Sequence, residues 1–293
     1  MLLTINANAK INLTLDILGS REDGYHEVEL ILQTIELADK LELAKIDSGI
    51  KFELNTEEIL NGELLPTDEK NLAYHAAKLM IKKFNLSDGV FIRLTKKIPI
   101  EAGLAGGSTD AAAVIRGMNK LFNLRLSSDE MCKIGAEIGS DVPFCIIGGT
   151  CLAYGRGEKL KRLADLPSMP MILIKPRGSI STAWAYKTYD SEKNNEHPDN
   201  NAMCEAINFS DTDAVCQLMF NVMEKVAIKK YPAIAQYKKQ MLDNGAIAAM
   251  MSGSGTAIFG ITKTQEDAVK IADTFKDSGI QIFVTKTVSK IEN

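Results

Sequence analysis

Residues 99–115, PIEAGLAGGSTDAAAVI, restrict the fold more than any other stretch of this 293-residue chain. Gly103, Gly106 and Gly107 stand close together, and Ser108, Thr109, Asp110 and three alanines follow. The preceding GVFIRLT, 89–95, has the composition of a strand, and the alanine-rich run after the glycines has that of a helix. The stretch therefore predicts strand, tight loop and helix, the helix over 109–122 with Ser108 or Thr109 as its cap.

Such a loop has a plain reading, a tight turn, and a functional one. Glycines let the backbone approach an anion, and the free N–H groups of a first helical turn face it with the favourable end of the dipole. Ser108 and Thr109 would add hydroxyls. Two familiar phosphate motifs do not fit. The P-loop needs a lysine directly after its glycines, and the dinucleotide fingerprint needs a different glycine spacing at the first strand of a βαβ unit.

The remaining chain supplies the frame. From Lys10 to Ile17 polar and apolar residues alternate, which predicts a half-buried strand with Lys10 and Asn12 on one face. The polar turn SREDGYHE follows, then strand-like segments near 28–36, 40–46 and 50–54, and a helical spacing over 71–84. Ser127-x-x-Glu130 is a capping box for a helix over 127–139. In GSDVPF, Pro143 suits a first helical turn and places Asp141 at its start. A hairpin is expected through Gly155-Arg156-Gly157, and ADLPSMP, 164–170, is a boundary candidate. Beyond it come a buried strand (MILIKP), mostly helix over 202–244, strand–turn–strand around the Gly/Ser turn 252–255, a helix over 264–277 and a last strand. This order fits an α+β fold with a second domain. The polar stretch 191–201 reads as a surface loop.

Composition narrows the function classes. Hydrophobic residues make up 45% and charged residues 25%, ample for a core, and the formal net charge of −4 argues against gripping nucleic acid by charge. Five cysteines without a C-x-x-C pair, and three histidines, argue against structural zinc and for free thiols. No apolar run is long enough for a membrane span or export signal, so a cytoplasmic protein without a membrane partner is expected.

Three further fragments decide the reading of the glycine loop together. AKINLTL carries Lys10 and Asn12, GSDVPF carries Asp141, and MSGSGTAIFG carries the second Gly/Ser turn. Each alone also reads as a surface lysine, a helix cap or a hairpin. In this order they resemble the GHMP kinase superfamily. The resemblance implies a two-domain fold, with a ribosomal-S5-like N-terminal domain over 1–165 and a ferredoxin-like C-terminal domain over 166–293. It also implies that ATP phosphates lie against Pro99, Ile100, Glu101, Ala102, Gly103, Leu104, Ala105, Gly106, Gly107, Ser108 and Thr109. Ala105 and Thr109 stand where many relatives have glycine and serine.

The turn Arg21-Glu22-Asp23-Gly24-Tyr25-His26-Glu27 resembles that of the family members acting on a cytidine diphosphate-linked methylerythritol. That likeness implies transfer of the ATP γ-phosphoryl to a tertiary C2 hydroxyl, with Asp141 as general base and Lys10 as its electrostatic partner. It implies that Tyr25 and Tyr186 sandwich the cytosine, with Trp184 the alternative to Tyr186, that His26 reads its edge, and that Asn12 and Thr182 contact the diphosphate or the erythritol. Asn71 either approaches the adenine or simply starts a helix. Mg²⁺ would accompany ATP, with Ser108 the candidate protein oxygen and no dedicated metal-ligand set. The expected assembly is a monomer or homodimer. A homoserine- or mevalonate-type kinase, and an S5-like RNA binder, are the competing readings.

Overall fold

β1 (Leu2–Ser20) and β2 (His26–Ile46) form a long antiparallel ribbon that runs through the first sheet of the computed structural model. The structure describes residues 1–56, 65–192, 196–275, 279–289 and 291. β3 (Ile50–Asn55) and β4 (Gly89–Thr95) extend the sheet beyond β2 in the order β3-β4-β2-β1. β5 (Thr150–Gly155) pairs with the first part of β2 and carries β6 (Lys159–Arg162) by the hairpin expected through Gly155-Arg156-Gly157. β8 (Phe220–Asn221), from far along the chain, closes the β1 edge in parallel.

Two sequence expectations change here. β2 is one strand, although the pattern breaks at Ala38-Asp39-Lys40. The break is Asp39, fully buried mid-strand and satisfied by hydrogen bonds from beyond β4. β1 is buried on both faces from Ala9 to Ile17 rather than half-buried. Its register against β2 shifts between Asn8 and Lys10 and again between Asn12 and Thr14. Such irregularities re-aim side chains. Ile11 and Leu13 consequently enter one core, and Leu15 and Ile17 the other.

The first core lies between this sheet and α1 (Leu72–Phe84) with α2 (Gly106–Leu121). Small residues let these helices approach closely. Ala73, Ala76 and Ala77 are buried on α1, as are Ala111, Ala112 and Ala113 on α2. At Gly117 even a Cβ would come within 2.9 Å of Ile5. α3 (Ser128–Ala136) begins with the expected capping box but stops short of 139, and α4 (Val142–Ile147) starts at Asp141.

The second sheet has the order β11-β7-β10-β9, all antiparallel, from β7 (Pro170–Lys175), β9 (Ala248–Met251), β10 (Ile258–Ile261) and β11 (Gln281–Lys286). With the helices after β7 taken as one crossover, this is the β-α-β-β-α-β pattern of a ferredoxin-like layer. The helices are α5 (Thr182–Ser191), α6 (Asn200–Asn208), α7 (Thr212–Leu218), α8 (Glu224–Lys230), α9 (Ala233–Asp243) and α10 (Gln265–Asp273). The span 202–244 thus holds most of α6, all of α7, α8 and α9, and β8. The helix expected over 264–277 ends at Asp273, and 276–277 lie outside the described residues, as do 193–195 of the expected loop. The second core joins Ile11, Leu13, Ile31 and Ile35 of the first sheet to Met171, Leu173 and Phe259 of the second. Val288 N–H donates to the Thr34 carbonyl (3.0 Å) across that seam.

Candidate active site

The glycine loop is set by its backbone. Glu101, Gly103 and Ala105 have φ of 50°, 77° and 59°, left-handed at every second residue. Alternation of this kind gathers successive N–H groups into an anion-binding concavity. The loop's carbonyls are fastened elsewhere. Lys10 N–H donates to Leu104 O (3.2 Å), Ala257 N–H to Ala102 O (3.1 Å) and the Ser252 hydroxyl to Gly103 O (3.0 Å). The second Gly/Ser turn is thus docked on the first, so closely that a Cβ on Gly103 would fall 2.1 Å from Ser252 O. α2 starts at Gly106 behind Ala105 and has no side-chain cap, contrary to the expected Ser108 or Thr109 cap. Its first amides, without intrahelical partners, remain for a ligand.

Gly106, Gly107 and Ser108 line a cleft of about 1170 Å³ together with Pro99, Ile100, Glu101, Ala102, Gly103 and Ala105. Leu104 and Thr109 do not line it. Leu104 is a core residue, and the Thr109 hydroxyl is spent on the Asn8 carbonyl (2.7 Å). The same cleft receives Lys10, Asn12, Tyr25, His26, Asn71, Asp141, Thr182 and Tyr186. Asn71 is also the N-cap of α1, its Oδ1 accepting from Ala73 N–H.

Lys10 and Asp141 arrive from different elements. The Lys10 Nζ donates to Asn12 Oδ1 (2.7 Å), both side chains being buried on one face of β1, as the alternation predicts. Asp141 is the N-cap of α4 with Pro143 in the first turn, yet its carboxylate makes no capping bond, which leaves it for other work. The Cys145 thiol marks their nearness. Burial and the Asp141 charge push it up, while Lys10 pulls it down.

A third charged group was not legible in the sequence. Lys96 is buried beneath the loop, its Nζ 3.3 Å from where a Gly106 Cβ would stand, and pairs with Asp39 and with Asp110 Oδ2 (2.8 Å). Burial alone would lower its pKa, but the two carboxylates outweigh it and hold the lysine charged. Burial, with Asp39 adding to it, raises Asp110 well above its ordinary value, and its Oδ1 is buried without a hydrogen-bond partner among the described residues. The pairing spans 57 and 14 residues of sequence, and only the buried Asp39 breaking the β2 pattern hinted at it.

Tyr25, also on the cleft wall, is exposed, with the Arg156 guanidinium 4.9 Å from its ring centre. Tyr186 stacks on His26, centroids 4.4 Å apart and planes at 25°. The imidazole thus covers one face of the Tyr186 ring. Burial, and secondarily Asp141, pushes the Tyr186 phenol up to about 12. Trp184 does not line the cleft and lies under Lys230 Nζ at 4.3 Å. The Thr182 hydroxyl reaches Ser254 of the Gly/Ser turn (3.2 Å). Arg156, Lys187 and Asp190 line the cleft without having been singled out as site residues.

Among the described residues no group of three His, Cys, Asp or Glu could hold a metal, and no helix is long and apolar enough to cross a membrane. The five cysteines are free thiols.

Comparison with known proteins agrees with this architecture. Residues 71–149 match the GHMP kinases N terminal domain and 202–281 the GHMP kinases C terminal domain. A homoserine kinase from Cytophaga hutchinsonii shares the fold, with a TM-score of 0.75, 20% identity and coverage of 99% of this chain and 96% of its own. The chain is thus a GHMP kinase, built on a glycine loop and a second Gly/Ser turn that meet at one cleft.

Its likeness to two further proteins is closer. One is a 4-diphosphocytidyl-2-C-methyl-D-erythritol kinase of Bacillus pumilus, 46% identical over 97% of this chain and 96% of the relative. The other is a crystal structure of 4-(cytidine 5'-diphospho)-2C-methyl-D-erythritol kinase, with a TM-score of 0.83, 30% identity and coverage of 97% and 99%. The chain belongs to the 4-diphosphocytidyl-2-C-methyl-D-erythritol kinase family.

Proposed function

We propose that the protein transfers the γ-phosphoryl group of ATP to the C2 hydroxyl of 4-diphosphocytidyl-2-C-methyl-D-erythritol, a step toward isoprenoid precursors. The observation that carries this reading is convergence. A lysine of β1, a carboxylate at the start of α4 and the amides of the glycine loop border one cleft, which Tyr25, His26 and Tyr186 also line.

ATP phosphates would lie against the amides of 106–108, with Lys96 beneath them. The acceptor is a tertiary alcohol, crowded and weakly nucleophilic, so a base that takes its proton in the transition state is worth ~10²–10⁴ in rate. Asp141 has no capping bond to compete for that role. Lys10, steadied by Asn12, would keep the carboxylate ionised and stabilise charge on the attacking oxygen and the moving phosphoryl group. Mg²⁺ would neutralise part of the phosphate charge, and the Ser108 hydroxyl, which borders the cleft, is the protein oxygen that would help to hold it.

The cytosine would lie between the rings of Tyr25 and Tyr186 with the His26 imidazole at its edge, and with Asn12 and Thr182 nearer the diphosphate and the erythritol. The run of β1 supports that order, since its Lys10 N–H meets the glycine loop at Leu104 O and its Ser20 pairs with His26. We take 1–165 and 166–293 as the two domains and expect a cytoplasmic enzyme, monomer or homodimer, with no nucleic-acid partner.

The test is incubation with ATP, Mg²⁺ and the cytidine diphosphate-linked methylerythritol, followed by phosphorus NMR. A new phosphate monoester on the substrate with matching ADP is expected. Turnover of homoserine or mevalonate in its place would refute the assignment.

A further inference from the structure

Asp190 stands one helical turn beyond Tyr186 on α5, on the same face. Its Oδ1 lies 2.8 Å from His26 Nε2, while Tyr186 covers the face of the same imidazole. One helix face thus fixes both the plane of the ring and one of its nitrogens. A carboxylate only accepts, so the Nε2 must carry the proton. In a neutral imidazole the lone pair is then on Nδ1. That atom has no hydrogen-bond partner among the described residues, and His26 borders the cleft.

Resting on the base-binding reading above, we propose that Asp190 is a positioning residue that holds His26 in the Nε2–H form and so selects cytosine over uracil. With its proton held by Asp190, the imidazole offers the base edge an acceptor. Cytosine presents an amine donor from its exocyclic N4, whereas uracil presents a carbonyl oxygen at the corresponding position, lone pair against lone pair. Loss of such a bond with a polar edge left facing the wrong partner weakens binding about tenfold.

The test uses Asp190→Asn, whose amide can donate to Nε2 as well as accept from it, so that the proton is no longer confined to Nε2. Affinities for cytidine diphosphate and uridine diphosphate are measured by calorimetry on the full chain. The protonated ring nitrogen of His26 is read from ¹⁵N–¹H spectra, in which three histidines must be assigned. The wild type should favour cytidine diphosphate and show a protonated Nε2. The variant should bind cytidine diphosphate about tenfold more weakly, with the preference narrowed or inverted and the proton on Nδ1. A preference unchanged in Asp190→Asn although the proton has moved to Nδ1, a preference lost with the proton still on Nε2, or a wild-type ring protonated on Nδ1, overturns the proposal. A His26→Ala variant separates the layers. If it binds cytidine diphosphate as the wild type does, the base-binding reading itself falls. If it loses that affinity while Asp190→Asn does not, only the role of Asp190 falls.

Discussion

Gly103→Ala tests whether the two Gly/Ser turns act as one unit. Gly103 has φ +77°, which costs an alanine about 1–2 kcal/mol. The new methyl would also lie 2.1 Å from the Ser252 carbonyl oxygen, backbone that cannot rotate aside. The turn must therefore withdraw, and the Ser252–Gly103 and Ala257–Ala102 hydrogen bonds are strained or lost, at about 1 kcal/mol each. The sum is about 3–4 kcal/mol. At an unfolding entropy of about 2 cal/mol/K per residue this lowers the melting temperature by about 5–6 °C. Gly49→Ala is the internal control, since Gly49 has φ +72° but nothing within 4 Å of the added methyl. It should lose only the conformational share, about 2–3 °C. Differential scanning calorimetry of both variants gives the difference, and isothermal titration with a non-hydrolysable ATP analogue should show weaker binding for Gly103→Ala alone. Equal melting points and equal nucleotide affinity would refute the idea that Ser252 shapes the phosphate loop.

Asp141→Asn should lower kcat by about 10²–10⁴ while nucleotide affinity and melting temperature stay close to wild type, as measured by coupled ADP release and calorimetry. Asp110→Asn mimics the protonated acid that burial favours; because the folded-state pKa is raised, wild-type stability falls as pH rises past the ordinary carboxylate value, and the variant should gain stability relative to wild type as pH rises. A thermal-melt series against pH reads this, and parallel curves would contradict it. Lys96→Met leaves the buried Asp39 charge unpaired and should cost about 3–5 kcal/mol in urea denaturation. With the Tyr186 phenol pushed up to about 12, the folded state holds that proton more tightly than the unfolded chain, so stability should fall between pH 10 and 12 by on the order of 2 kcal/mol. Tyr186→Phe should flatten that part of the stability–pH curve, and an unchanged slope would remove the phenol as its source.

What the sequence disclosed, and what it hid, follows from the range of the interactions. The glycine loop, the capping box at Ser127 and Glu130, and the Lys10–Asn12 pair are local patterns, legible because a few consecutive residues determine them. The convergence of Lys10 with Asp141 was available only through family likeness, since no periodicity relates β1 to α4. Asp39 misled the reading, because a polar residue in an apolar run looks like a turn unless its partners are known. Those partners are Lys96, Lys97 and Ile98, more than fifty residues later. The α2 cap was misplaced for a different reason. The helix begins behind an alanine in a left-handed conformation, which is not a recognisable start signal, and Thr109 turns its hydroxyl inward to Asn8. The His26–Asp190 bond, across 164 residues, lay beyond any local pattern.

The two-residue strand β8 has a consequence for how the polypeptide must be made. Phe220 and Asn221 pair with Thr14 and Leu15, and the Asn221 amide then bridges the carbonyls of Met251 and Gly253. The strand that presents Lys10 is thus finished by residues synthesised some two hundred positions later. A ribosome-bound fragment ending near 165 would show a bare strand edge near the Lys10 side chain, open to other chains. Such a fragment should clump when expressed alone and dissolve when the missing half is supplied.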